Sequence, residues 1–253
     1  MFVFRMPITK QELEAMPEEE RVFFVLNGHF LNEISMLNKW LIFIDLRAEP
    51  EVLRRAQVAQ GLLIARLFIG KLLEGWRMLE RAFFGTALSR QYIPKLDSTG
   101  SAALDNLGRY FGKSNILQDI RNNFSFHYDN AEVGKNFSLL PESYASELYL
   151  GPDYANSLNW ACEEIVSRAM LNVTGNTDPQ AALNLIMADL TRVSGWFFDF
   201  CGSVMVVATE RLLGERWEEA TEQIDIGEPK LLDAVGLPYF VQRSPEERTQ
   251  EDS

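Results

Sequence analysis

The chain has 253 residues, 47% hydrophobic and 24% charged, with 24 Lys or Arg against 36 Asp or Glu and a net charge of −12. That composition excludes a disordered chain and a simple coiled coil, and the acidic balance excludes wholesale attraction to nucleic acid or anionic lipid, though not a local basic patch. Cys162 and Cys201 are the only cysteines, which excludes a Cys-rich zinc ribbon or disulfide framework and fits a reducing, cytoplasmic setting.

In chain order, MFVF at the start is the one short strand candidate, and no basic leader with an apolar run marks a secretory signal. A helix is expected to open near Pro17, with Glu18, Glu19 and Glu20 in its first turn, where the helix dipole favours acids. Leu26, Phe30, Ile34, Leu37, Leu41 and Ile44 would form its inner face. From 50 to 88, Leu62, Ala65, Ile69, Leu72, Trp76, Leu79 and Phe83 step by 3 and 4, which predicts one long helix. Shorter helices are expected near 99–111, 114–124 and 154–171, with loops at 94–100, 129–141, 150–153 and 172–178.

A second long helix is predicted over 178–213. Asp178 caps it, Pro179 takes its first position, and Gly214 stops it. Its stripe is Ile186, Leu190, Val193, Phe197, Phe200, Val204 and Val207. Its most apolar part, 196–208, is shorter than the roughly 20 residues needed to span a bilayer, so no membrane anchor is expected. The predicted fold is all-α: a bundle with two helices of about 35 residues in one domain over 1–214. Residues 215–253, with eleven acids against four bases, read as an acidic, partly ordered extension with a disordered tip.

Several chemistries fail on spacing. With two histidines, neither carrying a Glu three residues before it, the chain lacks the ligands of a di-iron bundle, and no metal or other cofactor is expected. GRYFGKS at 108–114 has three residues between its glycines where a phosphate loop needs four. There is neither a G-x-G-x-x-G nor a G-x-S-x-G, so dinucleotide binding and a hydrolase elbow lack support.

One segment does concentrate chemistry. Between Arg54 and Arg121 stand eleven bases and five acids, and directly after comes Asp119-Ile-Arg-Asn-Asn-Phe-Ser-Phe-His-Tyr-Asp-Asn130. Arg121 offers a rigid donor fork for phosphate, and His127 can take and give a proton near neutral pH. Together they suit RNA cleavage without a metal, His127 moving a proton at the ribose hydroxyl or leaving oxygen and Arg121 holding the phosphoryl group. On a regular helix six residues separate two side chains by about 120° and about 9 Å, so the pair converges only if the helix ends between them or a second subunit supplies partners. The same residues admit a structural reading, with Arg121 paired to an acid and His127 at a helix end. Upstream, Arg66, Gly70, Glu74, Arg77 and Arg81 draw a polar stripe, either a solvated ion-pair row or a support facing the Arg121–His127 segment. His29 with Glu33 reads as a surface pair.

The string Arg-Asn-(x)4-His at 121–127 resembles the R-x(4–6)-H motif of the HEPN superfamily, whose members are all-α bundles, frequently dimeric. Many are metal-independent endoribonucleases of toxin–antitoxin and antiviral defence systems. The resemblance implies Arg121, Asn122 and His127 as catalytic residues, while Glu74 and Arg77 of the polar stripe and Tyr128 of the segment itself are expected, from the residues alone, to support them. It further implies a homodimer joining two motifs, RNA as substrate, and an antitoxin or other protein partner. The rival expectation is a catalytically silent helical module that binds a protein partner.

Overall fold

A computed structural model describes residues 1–125, 130–217, 222–231 and 234–242. In chain order these form β1 (Phe2–Arg5), α1 (Lys10–Ala15), α2 (Glu18–Ile42), α3 (Glu51–Ala82), α4 (Ala87–Tyr92), α5 (Ser98–Phe111) and α6 (Ile116–Ile120). A π-helical turn (Arg121–Ser125) follows α6, and then come α7 (Asn130–Ser138), α8 (Trp160–Asn172), α9 (Pro179–Leu213) and β2 (Glu222–Asp225). The described part is mostly helical, with one two-stranded sheet.

The longest helix, α9, has 35 residues, and all seven residues of its predicted stripe are buried. Burial of side chains this size contributes about 1.5–3 kcal/mol each. Asp178 accepts from the Gln180 N–H at 3.0 Å, Pro179 occupies the first turn, and Gly214 ends the helix at φ +53°.

The other long helix, α3, has 32 residues and stops at Ala82 rather than near 88. The N–H groups of Phe83 and Phe84 both donate to the Leu79 carbonyl, at 3.0 and 2.9 Å, and Gly85 turns the chain at φ +73°. Competing carbonyl capping thus ends a stripe whose apolar pattern continues. By length and apolarity α3 would suffice to cross a bilayer, but most of its apolar stretch is buried inside the bundle.

Against these two helices α2 packs with a shifted inner face. Glu20, Phe23, Asn27, Phe30 and Ile34 are buried, while Leu26 is 41% exposed. The polar members hold that register through partners. Asn27 Nδ2 donates to the Cys201 carbonyl at 3.0 Å. Glu20 accepts from the Tyr92 hydroxyl at 2.5 Å and pairs with Arg211 at 3.2 Å. Counting apolar residues alone could not see this. Phe30 also fills a slot at Gly75 of α3, where a Cβ would lie 2.3 Å from its ring, and its edge meets Phe197 of α9 at 5.1 Å.

Two further expectations change. Residues 129–141 were expected to loop, yet 130–138 form α7, which packs on α8 through hydrogen-bonded Asn136 and Asn172. Tertiary packing outweighs the poor helix propensity of Gly134 and its asparagines. The acidic extension, in turn, folds back. In its described part β2 pairs antiparallel with β1, Phe2 opposite Asp225. Gln57 donates to the Leu237 carbonyl at 2.8 Å, and the Tyr239 hydroxyl to the Ser157 carbonyl at 2.9 Å. Tyr239 and Phe240 thereby cover a small second core of Ala56, Ala59 and Leu158. The expected disordered tip lies outside the described residues.

Candidate functional site

Asn115 starts α6, its side chain accepting from the Gln118 N–H at 2.9 Å. Leu117 and Ile120 are then fully buried, and Phe124 nearly so. Between the last two the helix widens into the π turn, which packs on α3. The extra residue of a π turn re-aims side chains, a device frequent at functional sites.

Arg121 opens this turn. Its Nη2 donates to Glu74 Oε1 at 3.1 Å and its Nη1 to Asn122 Oδ1 at 3.3 Å. The same Glu74 oxygen accepts from Arg77 Nη1 at 2.8 Å. Two guanidinium groups therefore share one carboxylate, leaving a local charge of about +1. The Arg121 side chain is 21% exposed, against 41% for both Glu74 and Arg77. Its Nε is buried and has no hydrogen-bond partner among the described residues. Arg81, one turn on, is exposed and donates to the Arg77 carbonyl at 3.2 Å.

The structure thus brings Arg121, Asn122, Glu74 and Arg77 together and pairs Arg121 with an acid. His127 and Tyr128 lie outside the described residues. No family model matches the chain, and neither does any curated protein or solved structure. The likeness to HEPN proteins therefore rests on Arg121, Asn122 and His127 and on helical character.

The other motifs find plainer places. Gly112 closes α5, donating to the Gly108 carbonyl at 2.9 Å, so the phosphate-loop fragment is a helix C-terminus, where carbonyl dipoles repel anions. Glu33 lies 3.6 Å from His29 and 2.8 Å from Lys71. Among the described residues no three His, Cys, Asp or Glu side chains cluster as a metal site would require. The basic excess over 54–121 is spread rather than gathered: Arg54 meets Glu49, Arg66 meets Glu163 and Lys71 meets Glu33.

Sequence reasoning missed a second arginine centre at the start of α3. Arg55 pairs with Glu51 at 2.8 Å and with Glu147, donates to the Tyr149 hydroxyl at 2.8 Å, and lies 5.4 Å from the Trp160 ring centre. The hydrogen bond with Glu147 holds its pKa above the ordinary arginine value. Beside it, burial alone would raise the Glu164 carboxyl, but hydrogen bonds from Arg168, Ser146 and Tyr144 outweigh that and hold it below the usual range. Residues some 90 apart in sequence build this centre, and no local pattern announces it.

Proposed function

We propose that the protein binds RNA through Arg121 and cleaves it as a HEPN-like, metal-independent endoribonuclease of a toxin–antitoxin or defence system. The observation that carries this reading is Arg121 itself, held on a π turn by a single carboxylate oxygen that it shares with Arg77. A phosphate can take donors that Glu74 only half satisfies, and arginine presents them in a fork. In this reading His127 moves the proton at the attacking or leaving oxygen, and Asn122 steadies the guanidinium. A homodimer supplies a second histidine, so that one acts as base and the other as acid. Glu74 and Arg77 set the position of Arg121.

The test is incubation of the purified chain with mixed RNA, with and without chelator. Cleavage should persist in chelator and fall by at least about 10²-fold in His127→Ala with the fold intact. Cleavage that survives His127→Ala would refute the catalytic assignment. The net charge of −12 favours a second reading, a silent helical module that binds a protein partner. Absence of cleavage on every RNA would select it.

A further inference from the structure

The exposed side of α2 carries a row of large apolar residues among its polar ones. Val22, Leu26, Met36 and Trp40 are 48, 41, 48 and 43% exposed, and His29 and Glu33 lie between them. These six positions step by 4, 3, 4, 3 and 4, a narrow seam of the kind that pairs helices. Because the step pattern reads the same in both directions, a two-fold axis at residue 31 maps the seam onto itself. It pairs Val22 with Trp40, Leu26 with Met36 and His29 with Glu33. The apolar pairs fall in the outer layers, and the polar pair falls at the centre.

Charge selects the partner's direction. Glu18 and Glu19 stand exposed in the first turn of α2, and Lys39 stands exposed in its last. An antiparallel copy sets each acidic end beside the other's Lys39 and opposes the two helix dipoles. A parallel copy would stack acid on acid. From seam and charge together we infer that α2 is the surface by which two copies of this chain pair, antiparallel, about Glu33 and His29. This goes beyond the RNA reading and holds whether or not RNA is cleaved.

The experiment uses the full chain with Cys162→Ser, since Cys162 is exposed. Sedimentation should show a dimer whose dissociation constant rises at least about tenfold with Leu26→Glu. Leu139→Glu, an exposed position just after α7, should leave it unchanged. Both variants should unfold as cooperatively as the parent, so that loss of pairing is separated from loss of fold. Mixed V22C and W40C chains should join through a short bis-maleimide. V22C alone should not, because its two copies would lie about 27 Å apart. A monomer at all concentrations, a dimer indifferent to Leu26→Glu, or efficient V22C self-linking would each overturn the inference. Because the nuclease reading needs a homodimer, cleavage retained by a monomeric Leu26→Glu chain would count against that reading, while the α2 surface stands or falls on sedimentation and cross-linking.

Discussion

Two arginines mark the two ends of α3, and they are satisfied to different degrees. Arg55, near its start, has two carboxylates, a phenol and two aromatic faces around one guanidinium. Arg121, packed near its end, shares a single carboxylate oxygen with Arg77, and its buried Nε–H has no partner among the described residues. A saturated arginine is a staple, holding segments that are distant in sequence. An undersatisfied one has donors in reserve, and it pays for them in stability. The comparison separates structure from chemistry without appeal to motif: substitution at one should be felt in the fold, at the other in ligand binding.

The sharpest way to break the comparison is to remove each arginine in turn. Arg121→Ala should lower RNA cleavage by about 10²–10³-fold, as for loss of a donor to a developing charge, with its melting temperature little changed. Arg55→Ala should leave RNA binding within about twofold and cost about 1 kcal/mol by denaturant titration, because hydrogen bonds to charged groups are lost while Glu51 and Glu147 are more than half exposed and screened by water. Exchange of these two phenotypes would reverse the assignment.

A smaller effect tests the shared carboxylate. Glu74→Gln removes the competitor for Arg121 and Arg77, so single-stranded RNA should bind more tightly. The slope of log affinity against log salt should steepen by about 0.7, the share of one further phosphate contact. Because the pair is partly exposed, stability should move by under about 1 kcal/mol. A flatter salt dependence would show that Glu74 organises the arginines more than it neutralises them.

The smallest effect belongs to the saturated end. The folded pKa of Glu164 lies below its unfolded value, so its contribution is fully present above the unfolded pKa and disappears as pH falls through the folded one. The stability gap between the parent and Glu164→Gln should therefore be constant near neutrality and close below about pH 4. Thermal melts across that range measure it, and a gap that widens in acid would contradict the arrangement.

What could be read in advance divides along physical lines. The stripes of α3 and α9 are local and periodic, and their burial follows from spacing. The inner face of α2 is equally local but depends on Glu20 and Asn27, whose burial is permitted only by Tyr92, Arg211 and Cys201 far along the chain. α7 forms because α8 is there to receive it. At the candidate site, Arg121 was visible as half of a motif, and Glu74 and Arg77 as part of a polar stripe. That both arginines share one oxygen is a fact of packing between α3 and the π turn. Arg55 was invisible because, Glu51 apart, its partners enter from 92 residues away and beyond.

The slot at Gly75 bears on how such a site can respond to a ligand. Phe30 is lodged there with its edge against Phe197, so one ring rivets the three longest helices at a single level. Glu74 is the adjoining residue. Its backbone is thus anchored to the stiffest cross-section of the bundle, and sliding α2 or α9 would have to drag the carboxylate along rather than reorient it. Whatever adjustment an incoming phosphate demands falls to the side chains of Arg77 and Arg121, swinging about a fixed pivot.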